Sequence, residues 1–264
     1  MKNKVIVALV DGMRPDGMAA CGHPFFERLK QESTYCPTAQ TITRPITLPA
    51  HISLFTGVDQ LHHDNYDNDW HPYPKPYEGI LETVHDAGGK TAMLITWEPL
   101  RFLGRPDSID RLDFQRGDVK DRPYEDAFCF ERDWAERSAK IIRSNTYDFV
   151  FFYFEMADVI GHNDGWMSDS YLEALRCAGD CLEILYDSLQ PDQQMIVLAD
   201  HGGFDKKHND PSIPQVMTIP IFCVGSMFEK NCEKEGWHIL DIAPTVSKIL
   251  QIESQPHYQG KVLL

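Results

Sequence analysis

No stretch of this sequence approaches the roughly 20 apolar residues that a membrane-spanning helix needs. The first apolar run, Val5–Val10, stops at Asp11 and is too short for a signal-peptide core, so no targeting segment is expected. No C-x-x-C pair occurs, and the cysteine count of 7 is odd. Cys177 and Cys181 lie four apart on an expected helix, a spacing that marks one packed face. A reduced, soluble cytoplasmic chain is the expectation. There is no internal repeat, low-complexity tract or linker. Basic residues are the minority: 25 Lys and Arg stand against 40 Asp and Glu, a formal charge of −15. That balance excludes a nucleic-acid polymer gripped through a basic face. It admits a small phosphorylated substrate, provided a bound cation or a few donors meet its charge locally.

What remains is ordinary globular composition, with 42% hydrophobic and 25% charged residues in 264. Residues 1–264 are read as one domain, large enough to bury its own core. Unalternating apolar runs at Val5–Val10, Thr91–Thr96, Phe149–Phe154, Met195–Ala199 and Ile219–Val224 read as buried strands. Tyr77–Ala87, Arg132–Ser144, Ser168–Ser188 and Ile239–Leu250 read as helices. In Ser168–Ser188, Leu172, Leu175, Leu182 and Leu185 mark a core face. The alternation predicts an α/β fold with a mostly parallel central sheet and helices on both faces. The Pro- and aromatic-rich segments 62–77 and 97–124 are expected to be long surface loops.

Acidic residues and histidines gather at the predicted strand ends. Asp11 follows the first run, Asp158 and His162 the third, and Asp200 and His201 the fourth, with His208 shortly after. In open α/β sheets ligands bind beyond the carboxyl ends of the strands. Three Asp and three His are more than a catalytic triad needs. They suit two divalent ions with N/O ligands, which could clamp both oxygens of a phosphoryl transfer. A nucleophilic hydroxyl is expected before the helical-looking Ile52–Thr56, in the loop-like stretch Arg44–His51, where free N–H groups attract a phosphate. On chemistry alone Thr41, Thr43, Thr47 and Ser53 compete.

With these residues in view, the chain resembles the alkaline phosphatase superfamily, and within it the nucleotide pyrophosphatase/phosphodiesterase branch. Asp11-Gly12 is similar to that family's first metal-binding aspartate. Thr47-Leu48-Pro49-Ala50-His51 resembles its nucleophile motif, with Leu48 and Ala50 where Phe and Asn are usual. Glu155–His162 matches the element in which Asp and His bind one zinc, and Asp200-His201-Gly202-Gly203 the element of the other. Asp241–Thr245 is similar to a C-terminal helix signature of the superfamily. The resemblance spans residues 11 to about 250 in family order. It implies an alkaline phosphatase-like fold, here with minimal caps because the chain is shorter than most members.

It also implies that Asp158, His162 and His208 bind one divalent ion, and Asp11, Asp200 and His201 the other, with Thr47 coordinated beside them. Zinc is expected, with manganese or iron as alternatives. Thr47 would attack phosphorus and form a covalent phosphothreonine, while Asn68 hydrogen-bonds a phosphate oxygen. The implied activity is hydrolysis of a phosphodiester or pyrophosphate bond in a nucleotide-type substrate. A phosphomonoesterase, which would need extra cations such as Arg14, Arg44 or Lys206, is the alternative. A phosphonate or sulfate-ester hydrolase and a non-catalytic binding relative are further ones.

Each residue also has a plainer reading. Asp11 could be a turn residue, Thr47 a helix cap, Asn68 an ordinary loop residue, and His208 part of a solvated turn with His238 as its rival. His51, His62, His63 and His71 are assigned no chemistry. Trp97-Glu98-Pro99 and the 62–77 aromatics are equally a base-stacking slot or loop packing.

Overall fold

In the computed structural model of the chain, residues 1–69, 77–116 and 123–264 are described. The strands are β1 (Lys4–Val10), β2 (Ser33–Gln40), β3 (Thr91–Ile95), β4 (Arg111–Phe114), β5 (Phe149–Phe154), β6 (Gln193–Leu198), β7 (Thr218–Val224) and β8 (Cys232–Glu233). They form an eight-stranded sheet in the order β4-β3-β5-β1-β6-β7-β2-β8. The strands from β4 to β6 are mutually parallel, while β7 runs antiparallel to both β6 and β2. The sheet is thus mostly parallel, as its unbroken apolar strands predict. β1, β5 and β6 are buried along nearly their whole length.

Helices cover both faces, in two separately packed groups. α1 (Pro15–Cys21), α2 (Pro24–Glu32), α6 (Tyr124–Arg143), α7 (Met156–Asp164) and α8 (Asp169–Tyr186) form one. α3 (Thr47–Thr56), α4 (Gln60–His63), α5 (Ile80–Asp86) and α10 (Ile242–Leu250) form the other, and the short α9 (Pro214–Met217) leads into β7. Among the described residues no helix is long and apolar enough to cross a membrane.

Local expectations needed correction in places. The stretch read as a loop up to His51 already turns helical at Thr47. Pro49 does not prevent this, because a proline in a first turn gives up an N–H that has no helical acceptor. Segment 97–124 holds a 3-10 turn at Glu98–Phe102, another at Pro106–Ser108, and the edge strand β4, whose Arg111 and Asp113 alternate with Leu112 and Phe114 too briefly to show a period. β2 escaped notice because Pro37 and the small polar residues around it mask a strand with a bulge between Cys36 and Ala39. In segment 62–77, His62 and His63 end α4, and residues 70–76, including His71, lie outside the described residues, as do 117–122 of the other loop.

Two features hold the connection after β5 in place. α7 begins directly beyond the strand, and Glu131 Oε1, buried on α6, accepts the N–H of Glu155 (3.2 Å) and Met156 (3.0 Å) at its N-terminus. At the far end of α7, Trp166 fits against Gly203, where a Cβ would stand 2.1 Å from the indole ring, so the β6–β7 connection closes on α7 only with glycine there.

Burial pushes the Glu131 carboxyl up to about 8, with the charge of Glu155 adding to the rise and the Met156 N–H opposing it. The folded chain therefore holds this proton after the unfolded chain has released it. The contribution is fully present below the ordinary glutamate range and is lost as the pH rises through about 8. Glu131→Gln keeps the accepting oxygen without the charge. The melting temperature of the variant relative to the parent is expected to climb between about pH 5 and 8 and to level off above that. A pH-independent difference in thermal melts would contradict this account.

Candidate active site

Five segments converge at the carboxyl edge of the sheet. Asp11 directly follows β1, its N–H bonded to Phe154 O of β5 at 2.9 Å. Asp158 lies in the first turn of α7 and His162 one turn on, so both face the same side. Asp200 and His201 follow β6. His208 lies on the excursion between β6 and β7, and because β7 is antiparallel that excursion leaves and returns at this same edge. Thr47 opens α3 just beyond the end of β2. Gly12, at φ +68°, lets the chain turn where a Cβ would be 3.2 Å from Asp158 Cα. Its carbonyl is held by Trp166 Nε1 (3.0 Å) and the Tyr171 hydroxyl (2.9 Å).

The candidate ligands fall into the two sets read from the sequence. In Asp158, His162 and His208, and in Asp11, Asp200 and His201, one donor atom per residue lies within 4.8 Å of the others. His201 Nε2 is 3.3 Å from both Asp11 Oδ1 and Asp200 Oδ2. Asp158 Oδ1 is 3.5 Å from His162 Nε2 and 3.8 Å from His208 Nε2. The rings of His201 and His208 stack at 3.8 Å between centroids, which places the two sets side by side. The first set opens to solvent at His162, whereas the second is buried.

The hydrogen bonds settle which nitrogen of each ring is tied to the protein. His201 Nδ1 bonds Gly202 O at 2.9 Å, His208 Nδ1 bonds Pro45 O at 2.6 Å, and His162 Nδ1 bonds Lys206 O at 2.9 Å. A carbonyl can only accept, so each Nδ1 carries a hydrogen, and Nε2 is the nitrogen of each ring that faces the carboxylates. Burial pushes His201 and His208 down to about 3, which keeps both rings neutral. Burial pushes Asp200 up to about 6, and burial with the charge of Asp200 pushes Asp11 well above the usual carboxylate range. Asp11 Oδ1 and Asp200 Oδ2 are buried with no hydrogen-bond donor. Neutral imidazoles and crowded, undonated carboxylate oxygens form a donor set that fits divalent cations of the zinc class.

Among the competing hydroxyls, two are engaged elsewhere. Thr41 Oγ1 donates to Asp200 O, and Ser53 Oγ pairs with His63 Nε2 at 2.9 Å. Thr43 is exposed. Thr47 is buried, with Oγ1 3.3 Å from His201 Nε2. Asn68 is exposed beside it, and its Oδ1 accepts the Leu48 N–H at 2.9 Å, which leaves its NH₂ as the donating end. His238 caps the turn before α10, with Nδ1 accepting the Leu240 N–H at 3.2 Å, and belongs to neither set. Trp97 packs against the core.

Sequence reading missed two neighbours of the site. Tyr153 donates its hydroxyl to Asp11 Oδ2, and its signal was the lone hydroxyl in the apolar run Phe149–Phe154. His51, assigned no chemistry, is fully buried with Nδ1 3.8 Å from Asp200 Oδ2 and 2.7 Å from Thr47 O.

Comparison with known proteins bears on the family and the fold. The 2,3-bisphosphoglycerate-independent phosphoglycerate mutase of Bacteroides thetaiotaomicron is 27% identical over 126 residues, 47% of this chain and 25% of the mutase. That of Yersinia pestis strain Pestoides F is 27% identical over 135 residues, again 25% of its length. The matched region thus covers about a quarter of these curated relatives. Murine ectonucleotide pyrophosphatase/phosphodiesterase 5 in complex with AMP superposes with a TM-score of 0.74 at 16% identity, covering 97% of this chain and 96% of that one. A 2-O GAG sulfatase superposes with a TM-score of 0.79 at 13% identity, covering 100% of this chain and 73% of the other. At such identities the structures share the fold, that of the alkaline phosphatase superfamily. The sequence model for type I phosphodiesterase / nucleotide pyrophosphatase matches residues 5–215, a span that contains Asp11 through His208, and the chain belongs to this family of the alkaline phosphatase superfamily.

Proposed function

We propose that the protein is a two-metal phosphodiesterase or pyrophosphatase that acts on a nucleotide-type substrate through a covalent phosphothreonine. The observation that carries this reading is the buried Thr47 hydroxyl at the first turn of α3, 3.3 Å from the His201 nitrogen that faces Asp11 and Asp200. Asp158, His162 and His208 would hold one divalent ion and Asp11, Asp200 and His201 the other, zinc being favoured over manganese or iron. Bound there, the ions supply Lewis acidity and neutralise phosphoryl charge.

The chain's own groups do the rest. At the N-terminus of α3 the Thr47 N–H is left for a phosphoryl oxygen, since the Leu48 N–H is bonded to Asn68 and Pro49 has none. Thr47 Oγ1 forms the new P–O bond as the ester or anhydride oxygen leaves, and water later cleaves the phosphothreonine to restore the hydroxyl. The Asn68 NH₂, turned outward by the Leu48 N–H on its other end, donates to a non-bridging oxygen.

The cations considered for a dianionic monoester favour the diester reading. Arg14 is committed to Asp16 and to Gly203 O (2.9 Å), and Lys206 Nζ to Asn163 O (2.6 Å). Arg44, stacked 5.4 Å above the Tyr66 ring, remains beside the nucleophile segment. The seven unpaired cysteines, five of them buried, support a cytoplasmic location.

Purified protein supplied with zinc, manganese or magnesium is expected to hydrolyse bis-p-nitrophenyl phosphate faster than p-nitrophenyl phosphate. Monoester preference would replace the diester reading, and no turnover with any ion would favour a binding-only relative. Thr47→Ala should abolish turnover with metal content near that of the parent, and a retained rate would move the nucleophile elsewhere. Asn68→Ala should lower turnover by about 10²–10³-fold, and a loss of only a few-fold would remove it from the site. Asp200→Asn should lose an equivalent of metal together with activity, whereas unchanged stoichiometry by elemental analysis would refute its assignment.

A further inference from the structure

We propose that the Tyr153 hydroxyl is a positioning group for the buried ion site, fixing the Asp11 carboxylate so that one chosen oxygen faces the ion. The inference rests on the two-metal reading above and assigns to Tyr153 a role that the six ligands do not contain.

The three residues of the buried set share one pattern. Each has one polar atom tied to the protein and one left over. Asp200 Oδ1 accepts the N–H of Gly12 (3.2 Å) and of His201 (3.0 Å), leaving Oδ2 without a donor. His201 Nδ1 is tied to Gly202 O, leaving Nε2, which has only the Thr47 hydroxyl at 3.3 Å as a hydrogen-bond partner. Asp11 Oδ2 accepts the Tyr153 hydroxyl, leaving Oδ1 without a donor. The three leftover atoms are those that approach one another, at 3.3 Å from His201 Nε2 to each carboxylate. For Asp200 and His201 the tie is backbone, which no substitution removes. For Asp11 it is a side chain.

The placement follows from the sheet. Tyr153 is paired with Leu9 across the parallel β1–β5 ladder, and side chains two apart on a strand share a face, so Leu9, Asp11 and Tyr153 project the same way. The phenol ring is wedged edge-on against His51, 5.4 Å between centroids, and is 2% exposed. Water does not reach the hydroxyl's place, so its loss would leave Asp11 Oδ2 buried and undonated, free to rotate or to bind the ion through both oxygens.

The test is Tyr153→Phe, which keeps the ring in its packing. Apoprotein of parent and variant is titrated calorimetrically with zinc chloride, and the melting temperature of each apoprotein is measured. The parent should take up two equivalents. The variant should show one equivalent weakened by about 10–100-fold and the other unchanged, with the apoprotein melting near the parent. In an Asp11→Asn background, adding Tyr153→Phe should change the remaining affinity by less than about twofold, since the hydroxyl acts through a carboxylate already gone. Two equivalents bound by the variant as tightly as by the parent would overturn the inference and leave the two-metal reading standing. Both affinities falling together with apoprotein stability would reduce Tyr153 to a packing role and likewise overturn it. A parent that binds no zinc would defeat the two-metal reading itself, and this inference with it.

Discussion

Like charges kept out of water govern this molecule. Asp11 and Asp200 are buried against each other, and Asp158 lies close enough to raise both. Such a cluster is costly unless something positive shares its space. Among the described residues, no lysine or arginine forms an ion pair with Asp11 or Asp200. Arg14 turns to Asp16 and Gly203, and burial holds the His201 and His208 rings neutral. What the protein supplies is order. Backbone amides, a phenol and three carbonyls each take one atom of a candidate ligand and leave its other atom facing inward. The sheet, the glycine turns and the Trp166 wedge serve to hold that arrangement at one edge.

Much of this was legible in the sequence because the chemistry sits where buried strands end. Val5–Val10, Phe149–Phe154 and the run around Met195–Ala199 are too apolar to be anything but covered strands, so the acids and histidines just beyond them share an edge. The spacing of Asp158 and His162 already placed them on one helical face. The order of the motifs then carried the family.

Other parts were hidden for physical reasons. Strand direction leaves no local trace in an apolar run, so β7 gave no sign that it opposes its neighbours. The start of α3 at Thr47 was obscured by prolines on both sides, although a first turn tolerates them. Telling the four hydroxyls apart needed the third dimension, since Thr41 and Ser53 are already spent on Asp200 O and His63. Tyr153 was hidden by its company. A phenol in an aromatic strand reads as packing until the pairing with Leu9 shows which face it shares.

The reversed strand β7 has a consequence for how such a protein can change. The chain between β6 and β7 starts and finishes on the rim that carries the candidate site, so its middle is tethered at both ends to fixed points. Lengthening it disturbs no strand pairing, and each doubling of a flexible loop costs only about 0.6 kcal/mol in closure entropy. His208 rides on this tether, while His201 is anchored at its root. New walls around the candidate site can therefore be grown from this one excursion while the groups at the strand ends stay as they are.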